Sequence, residues 1–565
     1  MKISGKLLLM SILLSAAAFP AGAQSLSEDL LGKMTRRQKI AQIIIEAIDS
    51  GGSDSLVARQ VQYVKEGLGG IIVMDDDLVA NMNLVNYLQQ YAAIPLLVSI
   101  DGEWGASMRY REFTQFPRAM QLGALTDPQL VYEVGRAIGE ELSELHIFAN
   151  YAPVVDVNNN PKNPVINTRS FGEDREKVAA FGSAYMRGMK DAGVAGSAKH
   201  FPGHGDTDVD SHKGLPVLTF GRSRLDSLEL YPFRRLIADG VDMVMVGHLS
   251  VPALDPTGTP ASISKPIVTG LLREELGFDG IIITDALGMQ GVAAGGVDAA
   301  YAAYEAGADI LLMPNDAEAA IRDIDQAIEK GKMTEADLDA RVLKVLKLKE
   351  RCGMLSPEYE EFINTDTALR AAVRPATESL IQKISDLSMT VVMGGDNLPL
   401  KFGRKKVAYV AFNAISEASA EFEKELSKYG ELDRFDIPGD ASPQQIDSVA
   451  KAIKKYKDVI VCFHSGKPRP GTGGPRRFAS IESRQFEQIA AWSAKHRLHG
   501  IYLGNPYDLN NLPMHRQFDT FIIGYSDSFQ NNIAAARAVA EGGAKGVLPV
   551  AAGGWPHGHN DIENQ

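Results

Sequence analysis

Cysteine is nearly absent from this chain: Cys352 and Cys462 are the only two in 565 residues. That excludes a disulfide framework, and because the pair falls in what read as different domains, two free thiols are expected. Positive charge is also short, with 58 Lys and Arg against 71 Asp and Glu and a formal net charge of −13. A chain this acidic is poorly suited to nucleic acid or to an anionic membrane surface. Past residue 23 no apolar run approaches the roughly 20 residues that a membrane span requires. Phosphate-loop chemistry is missing too: the Gly-rich stretch GTGGPRRF at 471–478 lacks the Lys-Ser/Thr of such a loop, and reads as a mobile solvated loop, the alternative being a loop that reaches toward a ligand.

The chain opens with Lys2 and Lys6, an apolar run over 7–19, and Ala21-Gly22-Ala23 ahead of Gln24. This pattern predicts a cleavable secretory signal over 1–23, and with no Cys following it to accept lipid, an exported protein, periplasmic or secreted. Its removal takes away two lysines and no acid, which moves the formal charge from −13 to −15.

Short apolar, β-rich runs then alternate with longer amphipathic stretches. The runs fall at 42–48, 69–74, 95–100, 147–155, 194–198, 241–246, 280–284 and 308–313. Strands alternating with helical patterns imply a parallel sheet, and eight such units over about 310 residues fit a (β/α)8 barrel of the TIM type. An open doubly wound sheet is the structural alternative. A helix over 335–351, with Thr334 as N-cap and Leu338, Val342, Val345, Leu346 and Leu348 on one side, closes this domain. The resulting division is a barrel domain over 24–355, a connector with some helix over 356–387, and a smaller α/β domain over 388–565. In the last of these, strand-like runs fall at 389–393, 406–412, 458–463, 499–503 and 520–525.

Polar residues stand where the barrel runs end. Asp101 follows the third and Asp156 ends the fourth, Lys199 and His200 follow the fifth, and His248 and Asp285 follow the sixth and seventh. Barrel active sites sit at the C-terminal ends of the strands. Any one polar residue there has a bland explanation, but opposite charges from five strands converging on one rim do not.

The densest of these segments is KHFPGHGDTDVDSHKGLP at 199–216, which holds three of the chain's eleven histidines, three aspartates and two lysines. It admits three readings. As a solvated loop its charges are incidental. As a zinc site, His200, His204 and His212 with nearby aspartates supply enough ligands, but the first strand offers no His-x-His to complete the set. As an acid/base device, Asp210 orients the His212 ring and favours its protonated form, giving a proton donor that works near neutrality. A proton donor needs a partner, and Asp285, immediately after the β-branched run IIIT, is a fixed carboxylate on the same rim. A carboxylate nucleophile facing a separate acid is the arrangement of a retaining glycosidase.

The motifs KHFPGHG-x-T-x-x-DSH-x-x-LP, TDALGM at 284–289 and NTRSFGED at 167–174 resemble glycoside hydrolase family 3, in its bacterial β-N-acetylglucosaminidase (β-N-acetylhexosaminidase) branch. The resemblance covers roughly residues 30–350 and implies a metal-free, cofactor-free hydrolase. It assigns Asp285 as nucleophile and Asp210 with His212 as the acid/base. It places Asp101, Arg109, Arg169, Lys199 and His200 in the sugar pocket, with His248 at another pocket position. On chemical grounds, Lys199 and Arg169 can donate to sugar hydroxyls while Asp101 and Asp285 balance their charge. His204, Asp206 and Asp208 are left as loop formers. LGNPYDL at 503–509 and KGVLPV at 545–550 resemble the family's C-terminal α/β sandwich domain.

Two departures stand out. Trp104 occupies a turn where family members carry Gly-Gly, and either stacks on a sugar or packs; Arg175 stands where the family often has Pro. The expectation is an exo-acting, retaining β-N-acetylglucosaminidase acting on terminal β-linked GlcNAc of peptidoglycan fragments or chitooligosaccharides. The alternatives are a β-glucosidase or phosphorylase of the same family, a silent sugar-binding protein, and a metal-dependent amide hydrolase.

Overall fold

A computed structural model describes residues 25–562 except 212–213, 294–298, 373, 404–405, 415–416, 466–481 and 513. His212, the segment 1–23 and the stretch 471–478 therefore lie outside the described residues.

Eight short strands build the first unit: β1 (Ile44–Ile48), β2 (Gly70–Val73), β3 (Leu97–Ile100), β4 (Ala149–Asn150), β5 (Ala195–Phe201), β6 (Met243–Val246), β7 (Ile281–Thr284) and β8 (Leu311–Leu312). They pair in parallel in the order β7-β6-β5-β4-β3-β2-β1-β8. The ends meet through the Ile283–Ile310 bridge, with Ile310 donating to the Ile282 carbonyl at 3.1 Å. The sheet is thus rolled into a nearly closed barrel, not the open sheet. Most of these strands are buried along their whole length, because crossover helices cover the outside and side chains fill the inside, which is why they read as continuous apolar runs. Helix starts follow their caps: Asp127 accepts from the Gln129 N–H ahead of Pro128–Glu144, and Thr334 accepts from Asp337 ahead of Glu335–Arg351.

One boundary differs from expectation in a way that matters. β5 runs on to Phe201, so Lys199 and His200 lie within the strand and not after it, and its pairing with β6 shifts between Ala198 and Phe201. An irregularity of this kind re-aims side chains at a sheet's end.

The second unit contains β9 (Thr390–Met393), β10 (Val407–Phe412), β11 (Leu432–Ile437), β12 (Asp458–His464), β13 (Arg497–Leu503) and β14 (Thr520–Ile523). Their order is β11-β10-β12-β13-β14-β9, parallel except for β9 against β14. Separate apolar cores lie on the two faces: Phe422, Leu426 and Val539 belong to one, Ile446, Phe486 and Ile489 to the other. Helices Thr365–Ala371 and Pro375–Ser388 precede this sheet. Cys352 and Cys462 are both free thiols. Among the described residues no helix is long and apolar enough to cross a membrane.

The two units share a polar and apolar seam. Met120 and Ala124 of the barrel join the second unit's core, Gln121 donates to Asn531 at 2.8 Å, and Val547 donates to the Ala124 carbonyl at 2.9 Å.

Candidate active site

β3 and β5 deliver the charged centre of the rim. Lys199 is buried and donates to Asp101 at 2.7 Å; its ammonium also lies 2.9 Å from Glu103. Arg169 approaches Glu103 with Nε at 2.9 Å and a second guanidinium nitrogen at 2.6 Å. Arg109 reaches the other Asp101 oxygen at 3.3 Å. Burial pushes the Glu103 carboxyl upward, but Arg169 and Lys199 outweigh it and hold it well below the usual carboxylate range. The ammonium of Lys199 is raised: burial disfavours its charge, and Asp101 and Glu103 more than restore it. Breaking a buried pair of this kind costs about 3–5 kcal/mol, because the remaining charge is left uncompensated.

Glu103 carries a role the sequence reading gave to Asp285. The acid that pairs with Arg169 is Glu103, two positions beyond Asp101, on the same side of the chain as it leaves β3. That i, i+2 spacing after a strand was the available signal.

Asp156, expected on the rim at the end of the fourth run, has a role that the sequence did not assign. Completely buried, it accepts from His200 Nδ1 at 2.7 Å, and its other oxygen accepts from the backbone N–H groups of His200 at 3.2 Å and His204 at 2.7 Å. Since a carboxylate can only accept, Nδ1 of His200 carries the hydrogen and Nε2 is left as acceptor toward Arg169 at 3.3 Å. Asp156 therefore sets both the tautomer of His200 and the start of the loop that follows β5.

That loop contains the remaining histidine-rich motif. His204 is buried, its Nδ1 lies 2.6 Å from the Thr207 hydroxyl, and burial lowers its pKa to about 4, so it stays neutral. Asp206 pairs with Arg224 at 3.2 Å, and Asp208 is exposed. Asp210 is partly buried, and Ser211 beside it is buried, its carbonyl accepting from the Gly291 N–H at 3.2 Å. Among the described residues no group of three or more His, Cys, Asp or Glu is arranged to hold a metal ion.

β7 supplies Asp285. Its backbone N–H extends the ladder to Val246 at 3.0 Å, and its Oδ1 accepts from the Ala286 N–H at 2.8 Å. Burial acts to raise this carboxyl, but His248, His200, the Ala286 N–H and Lys199 together leave it lowered, so it is ionised at neutral pH. His248, from the end of β6, is fully buried; its Nε2 faces the Ala286 carbonyl at 2.9 Å and its Nδ1 the Ser262 hydroxyl at 2.7 Å. It thereby pins the residue after Asp285.

Trp104 is 8% exposed and lies beneath the Arg118 guanidinium, 4.3 Å from its ring. Packing against Arg118 accounts for it. Arg175 starts the helix Arg175–Asp191 and covers Tyr231 at 4.7 Å, away from the rim.

A parallel barrel whose strand ends present an ionised carboxylate beside a cluster of internally balanced acids and bases is suited to a neutral, hydroxyl-rich ligand, and the class it defines is the barrel glycoside hydrolases acting on O-glycosyl bonds. The chain matches the Glycosyl hydrolase family 3 N terminal domain over residues 35–348, more than half its length, and belongs to that family. It is similar to Beta-hexosaminidase A of Pseudoalteromonas piscicida, 38% identical over 437 residues, 71% of this chain and 72% of that protein. It is also similar to a Beta-N-acetylglucosaminidase/beta-glucosidase of Cellulomonas fimi, 33% identical over 305 residues, 52% of this chain and 54% of the other. Among solved structures, a glycoside hydrolase family 3 beta-N-acetylglucosaminidase from Paenibacillus sp. str. FPU-7 superposes with a TM-score of 0.73 at 32% identity, over 91% of this chain and 98% of that one.

Proposed function

We propose that this glycoside hydrolase is an exo-acting, retaining β-N-acetylglucosaminidase that removes terminal β-linked GlcNAc from peptidoglycan fragments or chitooligosaccharides. The observation that carries the reading is the setting of Asp285: a carboxylate kept ionised on the barrel rim, followed by a turn hydrogen-bonded to the loop that bears Asp210. The names of the similar proteins, hexosaminidases and N-acetylglucosaminidases, support the sugar.

In this mechanism Asp285 attacks the anomeric carbon and forms a glycosyl ester as the bond to the departing oxygen breaks. The imidazolium of His212, oriented by Asp210, gives its proton to that oxygen. The neutral imidazole then takes a proton from water, whose oxygen attacks the same carbon and displaces Asp285, so two inversions retain the configuration. Asp101 accepts from sugar hydroxyls, while Arg109, Arg169, Lys199 and His200 hold the ring, and His248 steadies the nucleophile through Ala286. In this reading the segment 1–23 is a cleavable export signal and the enzyme works in the periplasm or outside the cell, where such saccharides occur; the residue pattern of that segment supports it.

A panel of aryl β-GlcNAc, aryl β-glucose and GlcNAc-MurNAc substrates, with and without phosphate, tests this. Preferred turnover of the GlcNAc substrates, with free β-GlcNAc as first product even in phosphate, is expected. Formation of the sugar phosphate, preference for glucose, or no turnover of any substrate overturns the reading.

A further inference from the structure

The wall of the barrel site between β4 and the helix Arg175–Asp191 is a segment, 157–170, with hardly any regular structure, yet it carries Arg169. Three asparagines organise it. Asn158 Oδ1 accepts from the Asn167 N–H at 3.0 Å, and Asn163 Oδ1 accepts from the N–H groups of Val165 and Ile166, each at 2.9 Å. The amide of Asn163 donates outward, to the carbonyls of His204 at 2.8 Å and Gly205 at 3.0 Å. The same wall therefore props the loop leading to Asp210. The two segments touch so closely that a Cβ on Gly205 would lie 1.9 Å from the Val157 carbonyl oxygen.

What completes this wall comes from the other unit. Tyr507, after β13, donates its hydroxyl to the Asn158 carbonyl at 2.7 Å and accepts from the Asn158 amide at 2.9 Å. Asn505 donates to Asn167 Oδ1 at 2.7 Å, and its own Oδ1 accepts from the Tyr507 backbone N–H at 3.1 Å, which ties the Asn505 side chain to the Tyr507 main chain. All four residues are buried. Asn167 is held at φ +43°, a left-handed conformation uncommon outside glycine and best tolerated by asparagine. Two residues later, Arg169 turns to Glu103 and His200.

We propose that Asn505 and Tyr507 are positioning residues for the barrel site: they hold Asn158 and Asn167 so that Arg169 reaches Glu103 and His200, and so that the 204–210 loop keeps its place. Through these two residues the second unit then acts on the reaction. Only the kinetic part of the test rests on the proposed glycosidase activity.

The variants are Tyr507→Phe and Asn505→Ala, with Tyr525→Phe as a comparison. Tyr525 is an equally buried hydroxyl, 2.6 Å from Thr390, away from the wall. Hydrogen exchange read by mass spectrometry is expected to quicken in 157–170 and 203–211 for Tyr507→Phe and Asn505→Ala, and not for Tyr525→Phe. With an aryl GlcNAc substrate, kcat/KM is expected to fall roughly tenfold to a hundredfold, the scale of a small misplacement of a binding group. In combination with Arg169→Lys the losses are expected to be less than multiplicative, because both act through one guanidinium. Unchanged exchange in 157–170 in both variants, or losses that multiply independently with Arg169→Lys, overturns the proposal. If no substrate is turned over, the glycosidase reading fails while the exchange measurement still decides this one.

Discussion

Gly291 donates its backbone N–H to the Ser211 carbonyl at 3.2 Å, which ties the loop bearing Asp210 to the turn that follows Asp285. The approach leaves no room for a side chain: a Cβ at Gly291 would lie 2.9 Å from the Ser211 oxygen and 3.1 Å from His248 Cβ. The loop bearing Asp210 and the turn after Asp285 are thus joined directly through backbone atoms.

Gly291→Ala is expected to push these two segments apart and to give the signature of a lost acid. Both Gly291→Ala and His212→Ala should slow substrates with poor leaving groups by about 10²–10⁴-fold and spare those with good ones, which depart without a proton. A series of aryl GlcNAc substrates of graded leaving-group acidity measures this. Equal losses across the series count against a proton donor in this loop.

Asp285→Ala is expected to lower turnover of a dinitrophenyl GlcNAc by roughly 10⁴-fold or more. Added azide should restore part of the rate and yield the α-glycosyl azide, because azide takes the nucleophile's place and inverts the anomeric carbon once. NMR of the product identifies the anomer. A rate unchanged by the substitution means the nucleophile lies elsewhere.

Glu103→Gln leaves Lys199 and Arg169 with Asp101 as their nearby carboxylate. Destabilisation of about 3–5 kcal/mol is expected, together with a raised KM, since both cations are then free to turn away from the sugar. Denaturation midpoints and KM are the readouts, and a variant as stable as the parent removes Glu103 from this role.

Glu141 lies behind the same turn, 1% exposed, with burial pushing its carboxyl up to about 8. An unfolded glutamate titrates near 4.5, so between these values the folded protein keeps a proton that the unfolded chain has released. The stability this group contributes is therefore complete below about 4.5 and is lost as the pH rises to about 8. Glu141→Gln should flatten that decline: relative to the parent it should gain on the order of 2 kcal/mol between pH 6 and 9 in urea titrations. Parallel pH dependence in the two proteins would show that Glu141 is charged throughout.

Much of the barrel could be read from residues alone, because parallel strands covered on both sides show as unbroken apolar runs, as in Ile281–Thr284. The same rule hid β11, Leu432–Ile437, whose LDRFDI alternates charge with apolar residues because it lies at the sheet edge, half exposed. In the site, Asp101 and Lys199 were found as separate residues near strand ends and Arg169 through the family resemblance, and the structure brings them together. Glu103, the partner of Lys199 and Arg169, was passed over: its i, i+2 spacing from Asp101 is the one local mark, and its cations lie far along the chain, Arg169 66 positions away. Asp156 was seen as a strand ending, but its bond to His200 depends on how β5 bends between Ala198 and Phe201.

The bond between Asn505 and Asn167 spans 338 positions of chain, and that between Tyr507 and Asn158 spans 349. During synthesis from the N-terminus, all eight barrel strands are available to pair long before either second-unit partner has been made. For that interval Asn158 and Asn167 have only their partners within the wall, Asn160 and Asn163 among them, and lack the Tyr507 hydroxyl and the Asn505 amide. If Asn505 and Tyr507 position the wall as proposed, its completion is a late event, timed by the emergence of β13 and the turn after it.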